Sequence, residues 1–213
     1  MKILIIYAHP NSEGHCSAIL SEIKKNLDDN KADYEIIDLY KIKYDPVLTE
    51  GELYGVKKRT LEELNKQMQE KIKIADKLVF IYPVWWNSMP AILKGFFDRV
   101  FTSGFAFTYK PIIPSAIRMK LIMRYPFVTR FDYGVPIPLL KNKKAVVFLT
   151  TGSPKIAFFI TGNRFKKLIK KDILGFFGIK SKVYHIDNCR KLNEYQILKI
   201  KKIVKKGMRK ILK

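Results

Sequence analysis

The sequence predicts an α/β fold: a doubly wound parallel sheet of five strands with helices on both faces. Three observations carry that prediction. Short continuous apolar runs recur along the chain and stop at polar, Pro or Gly residues, as strands buried on both faces do. Segments with apolar residues at helical spacing alternate with these runs, so the connections should be right-handed crossovers. The chain has 213 residues, 47% of them hydrophobic, and two cysteines, which is enough core for one domain without disulfides. With no repeat or low-complexity linker, residues 1–213 read as a single domain.

The first strand is predicted over 3–8, where His9 and Pro10 end the apolar run. A helix follows over about 17–27, with Leu20, Ile23 and Leu27 at helical spacing, and the second strand covers 34–39. Thr60 and Glu63 have the spacing of a capping box and should open a helix that runs to about Ile74. The third strand is 77–82. Pro90 suits the first position of a helix ending near Phe101, with Leu93, Phe96, Phe97 and Val100 on its apolar face. Strands four and five are expected over 145–149 and 180–186, with a helix over 164–177 between them. The last helix, about 193–213, carries the stripe Ile197, Ile200, Val204, Met208 and Ile211.

The net charge of +22 is unevenly distributed. Residues 1–110 carry 16 basic and 15 acidic side chains, whereas 111–213 carry 25 and 4. Such asymmetry marks either a surface for an anionic partner or a heavily solvated one. No reading helix or aromatic RNA motif accompanies it, so nucleic acid is not an expected partner. Only six apolar residues follow Lys2, too few for a secretory leader, and no run approaches the roughly 18 residues of a membrane span. Cys16 and Cys189 form no metal or redox spacing, and a cytoplasmic location is expected.

Ligands of doubly wound sheets bind beyond the carboxyl ends of the strands, so three loops matter most. After strand one, 9–17 runs into a helix N-terminus, where free backbone N–H groups suit a phosphate; Asn11, Ser12, Gly14, Ser17, His9 and His15 add turns and donors. After strand three, 83–90 contains both tryptophans of the chain, an aromatic wall for a flat conjugated ring. After strand four, Thr150-Thr-Gly-Ser-Pro154 offers hydroxyls and accessible backbone amides. Phosphate donors, aromatic wall and hydroxyl-rich backbone at one edge describe a flavin site. No glycine fingerprint of a dinucleotide fold or NTPase is present.

These stretches resemble the flavodoxin-like NAD(P)H:quinone oxidoreductases, the group that includes DT-diaphorase and the bacterial modulators of drug activity. The match is carried by Ile3-Leu-Ile-Ile-Tyr-Ala-His-Pro10, the long strand–loop–helix from Pro83 to Phe101, Gly104-Phe-Ala-Phe-Thr-Tyr109 and Thr150-Thr-Gly152, with echoes at Asn163-Arg-Phe165 and Phe177-Gly-Ile179. The resemblance implies strand order 2-1-3-4-5 and a flavin, FAD or FMN, reduced by NAD(P)H. It places His9, Cys16 and Ser17 around the flavin phosphate. Pro83, Val84, Trp85, Trp86 and Asn87 would line the isoalloxazine ring, and Thr150, Thr151, Gly152 and Ser153 its other polar edge. It further implies a homodimer in which Phe107 and Tyr109 close over the substrate pocket at the subunit boundary.

Two positions depart from the family. Phe158 and Arg164 stand where DT-diaphorase has a tyrosine and a histidine that handle charge on the reduced flavin. Phe158 donates no hydrogen bond; Arg164, if turned inward, would stabilise an anionic reduced flavin electrostatically. The implied reaction is ping-pong hydride transfer from NAD(P)H through the flavin to a quinone or another flat electrophile, with Trp86 and Tyr109 as stacking walls. An alternative is a flavoprotein accessory subunit that regulates a membrane transporter. The stretch 111–135 departs from the usual family length and mixes large apolar residues with Arg118, Lys120, Arg124 and Arg130. It suits an insertion packed on the partner subunit, or peripheral contact with an anionic membrane, as does the basic face of 193–213.

Overall fold

The computed structural model describes residues 1–53, 60–111, 117, 123, 124, 134–160 and 162–212. Five strands form one parallel sheet: β1 (Lys2–Tyr7), β2 (Asp33–Asp38), β3 (Lys77–Pro83), β6 (Lys144–Thr150) and β7 (Lys180–Ile186), in the order β2-β1-β3-β6-β7. Counting only these strands, that is the expected order. Two further strands, β4 (Phe107–Pro111) and β5 (Gly134–Pro138), pair antiparallel in a separate ribbon that was not expected. Most of the segment they bracket, the insertion over 111–135, lies outside the described residues.

Helices cover both faces, which is why the central strands are apolar throughout. On one face α1 (His15–Asp29) and α6 (Glu194–Ile211) bury Ile19, Ile23, Leu27, Ile200, Val204 and Met208 against Ile3, Ile5, Val79, Val146 and Phe148. On the other, α2 (Glu63–Ile74) and α3 (Ala91–Val100) bury Met68, Ile72, Leu93 and Phe96 against Leu4, Leu78, Phe80 and Val147. Each fully buried Leu, Ile or Phe of this kind contributes roughly 1.5–3 kcal/mol by removing apolar surface from water. Gly207 of α6 packs so closely on Phe148 that no Cβ would fit between them. Of the predicted stripe on α6, only Ile197 is partly exposed.

Three helix predictions need correction. Pro90 is the N-cap of α3, and Ala91 is its first residue. The helix expected over 164–177 is instead α5 (Arg164–Lys167), which widens into a π-helical stretch over Leu168–Ile173, and an unpredicted helix α4 (Lys155–Ile160) precedes it. Thr60 does not cap α2, which starts at Glu63: the Thr60 amide donates to the Gly51 carbonyl at 2.9 Å. The cause is Arg99, fully buried on α3, which draws in the carboxylates of this region. Its Nε bonds both Glu52 oxygens at 3.1 and 3.0 Å, and Nη2 meets Glu62 at 2.7 Å. Glu52, rather than Glu63, makes the capping-type contacts, accepting from the Thr49 amide and hydroxyl at 3.0 Å each.

Candidate active site

The carboxyl ends of β1, β3 and β6 converge on a cleft of about 440 Å³. The β1–α1 loop forms one wall. Gly14 precedes α1 at φ 117°, a conformation that favours glycine, and no side chain caps the helix. The first bond back to this loop is made by Ala18, to the Gly14 carbonyl at 2.9 Å, so the amides of His15 to Ser17 remain available to an anion. His15 sits at this helix start on the cleft wall, with its buried Nε2 unpartnered among the described residues. Burial, with help from the Lys199 charge, lowers the pKa of His15 and keeps it neutral, so Nε2 can carry a proton and donate it to a ligand oxygen.

The floor is the end of β6. The Thr150 hydroxyl lies 3.4 Å from the Cys16 thiol, and burial pushes that thiol up to about 12, so Cys16 is an inert packing residue. The Thr151 hydroxyl donates to the Ser153 carbonyl at 2.9 Å and lies 2.7 Å from Nε2 of His185 on β7. With its one proton committed to Ser153, Thr151 must accept from a protonated His185 Nε2. Nδ1 of His185 then bears a lone pair with no partner among the described residues. Burial, reinforced by Lys166, lowers the His185 pKa to about 4. His185 is thus a neutral prop beneath the floor, wedged edge-on between Phe158 and Phe165. Nothing in the sequence marks it, because its partner lies 34 positions earlier.

The second wall is the loop after β3. The Val84 amide donates to the Thr150 carbonyl at 2.8 Å, tying this wall to the floor. Trp85 and Ser88 exchange backbone hydrogen bonds at 3.0 and 2.9 Å, with Trp86 at φ 50° and Asn87 at φ 60° between them. Two left-handed residues inside such a closed pair make a type I′ turn, which prefers Asn-Gly and strains a tryptophan. Trp86 is nevertheless there, with its side chain completely exposed.

Of the residues predicted to hold a cofactor, His9, Cys16, Pro83, Val84, Trp85, Thr150, Thr151 and Gly152 line the cleft. Ser17 is off the lining, one position further along α1, and Ser153 takes part through its carbonyl. Trp86 and Asn87 do not join Trp85 on the wall, because the turn carries them outward. Asn87 lines a second pocket of about 530 Å³ with Ile160, Gly162, Arg164 and Lys167. Tyr109 lies in a third groove of about 560 Å³, with Phe107, Phe176 and Phe177. None of the three residues predicted to be catalytic, Trp86, Tyr109 and Arg164, lines the cleft, and no one pocket brings them together. Among the described residues no group of acidic, His or Cys side chains could hold a metal, and no helix is long and apolar enough to cross a membrane.

A parallel five-stranded sheet with a phosphate-suited helix start at its edge defines a class, and the chain falls within it. Residues 1–194 match the family model described as flavodoxin-like fold, and the chain belongs to that family. It is 33% identical over 154 residues to an uncharacterized NAD(P)H oxidoreductase of Haemophilus influenzae, covering 72% of this chain and 65% of that one. To NAD(P)H dehydrogenase [quinone] 1 of Cavia porcellus it is 29% identical over 178 residues, covering 76% of this chain. The chain thus spans 65% and 57% of the lengths of these two relatives. The structure of Smu.1420 from Streptococcus mutans superposes at a TM-score of 0.76 with 29% identity, covering 98% of this chain and all of that one.

Proposed function

We propose that the protein is a flavin-dependent NAD(P)H oxidoreductase that passes a hydride to a quinone or similar flat electrophile. The observation that carries this reading is the unpartnered Nε2 of buried, neutral His15 at the uncapped start of α1, one wall of a cleft whose other wall is tryptophan. That pairing fits a ligand with a phosphate at one end and a conjugated ring at the other. The names of the two relatives point to the same chemistry.

Bound flavin would supply two-electron transfer between donor and acceptor. The residues of the chain would hold and orient it. The amides of His15 to Ser17 and His15 Nε2 would take the phosphate, with His9 and Cys16 beside them. Thr150, Thr151 and Gly152 would present backbone to one edge of the ring, with Ser153 fixing the turn through Thr151. A Cβ built on Gly152 would meet no atom within 4 Å, so the floor is open to a ligand there. Pro83, Val84 and Trp85 would flank the ring. Trp86 and Asn87 would face the exchanging donor and acceptor, and Arg164 would stabilise negative charge that develops on reduction. The groove of Phe107 and Tyr109 is assigned to a subunit boundary in a homodimer, consistent with the half-exposed Tyr109 ring. No observation favours the accessory-subunit alternative.

The protein mixed with FAD or FMN should be yellow after desalting, with a band near roughly 450 nm, and should oxidise NADH or NADPH when a quinone is added. A flavin-loaded protein that turns over no quinone would overturn the reading.

A further inference from the structure

Three cations illustrate neutralisation within the fold, one away from the cleft and two nearer to it. Arg99 has Glu52, Glu62 and Asp45. Lys199 and Lys155 share Asp187, at 2.7 and 3.8 Å. The pocket beside the Trp86 turn is different. Its lining combines the Asn87 amide, the Ile160 side chain on a helix with no buried residues, and the cations Arg164 and Lys167. No carboxylate lines it, and among the described residues neither cation is in an ion pair. A pair of left-handed residues, Gly162 at φ 71° and Asn163 at φ 53°, sets Arg164 at this wall.

From this we infer that the pocket of Asn87, Ile160, Arg164 and Lys167 reads an anionic group, a sulfonate, carboxylate or phosphate, appended to the flat ring of the ligand that exchanges at the cleft. The inference rests on the proposed oxidoreductase function and deepens it by naming the substrate class. Ile160 and exposed Trp86 supply apolar surface for a ring, and two uncompensated cations supply the counter-charge. A neutral ring would make no use of the Lys167 charge, whatever share of Arg164 the reduced flavin takes. The same chemistry has two sources, an acidic acceptor or the 2′-phosphate of NADPH.

The test compares flavin-loaded wild type with Lys167→Gln and Lys167→Glu. Stopped-flow reoxidation is measured with 1,4-naphthoquinone-2-sulfonate and with uncharged 2-methyl-1,4-naphthoquinone, and flavin reduction with NADPH and with NADH. Comparing the ratio of rates, more anionic over less anionic compound, between variant and wild type cancels the intrinsic reactivity of each compound. In the acceptor pair this ratio should fall about 3-fold in Lys167→Gln and about 10-fold in Lys167→Glu, and the effect should shrink at high salt. A change confined to NADPH over NADH supports the inference with the donor as source. Ratios unchanged in both pairs overturn it. Binding of the two quinones to the oxidised protein, followed by calorimetry, decides the inference even without turnover: tighter binding of the sulfonate, lost in Lys167→Glu, supports it, and equal binding overturns it. Absence of turnover with every acceptor would count separately, against the oxidoreductase reading.

Discussion

Arg99 and Arg164 carry the same guanidinium and stand in opposite surroundings. Arg99 is sealed into α3, with its charge met by three carboxylates and its plane 5.9 Å from the Tyr44 ring. Arg164 is exposed on a pocket wall without a carboxylate. Arg99, away from the cleft, has its charge answered within the fold. In and beside the cleft, His15 Nε2 has no partner among the described residues, Arg164 is in no ion pair there, and Trp86 sits exposed in a strained turn. The first arrangement holds the fold together; under the proposed function the second serves a ligand.

Breaking the closed side should have the largest effect on stability. Arg99→Met leaves Glu52 buried without its partner and should cost about 3–5 kcal/mol in urea unfolding. A loss below about 1 kcal/mol would mean that the network relaxes and that Arg99 is no keystone. His185 lies between the two extremes, with one nitrogen satisfied and one not. Its pKa in the fold, about 4, lies below its ordinary 6.5, so the unfolded chain takes up a proton first as the pH falls. The stability it contributes should be complete above about pH 6.5 and lost progressively towards pH 4, by up to about 3 kcal/mol. His185→Gln should flatten that part of a Tm-against-pH profile; an unchanged slope would assign it to other groups.

The open side should respond in the opposite sense. Trp86→Gly relieves a left-handed tryptophan that buries nothing, so Tm should rise by about 2–4 °C while kcat/KM for quinone falls about 10-fold or more. A fall in Tm would show that Trp86 stabilises the fold. The smallest stability change is expected for Arg164→Gln, within about 0.5 kcal/mol of wild type, with a loss of about 10-fold in turnover. Equal damage to stability and turnover would erase the contrast with Arg99.

The sheet was legible in the sequence because its central strands are buried on both faces. Residues 3–8, 78–82 and 145–149 are continuous apolar runs, ended at the cleft by His9, Pro83 and Thr150. The three loops were legible for the same reason, since a strand's end is visible wherever its apolar run stops. What escaped depends on contacts distant in sequence. Glu52 and Arg99 meet across 47 positions, which diverts the predicted capping at Thr60. The ribbon β4–β5 carries Pro111, Pro136 and Pro138, residues that argue against a strand unless it sits at an edge. The outward course of Trp86 and Asn87 follows from two positive φ angles in a turn that carries no glycine to announce it.

That ribbon has a consequence for the chain's length. Its last pair joins Pro111 to Gly134, so the segment between them begins and ends at neighbouring points of the scaffold. The entropy of closing such a loop grows only logarithmically, by about 0.6 kcal/mol for each doubling of its length. Chain length at this gate is thus nearly decoupled from the stability of the sheet. Segments of different size and charge could be exchanged between Pro111 and Gly134 with the cleft edge of the sheet left in place, which would let the molecule's surroundings change while the cleft stays the same.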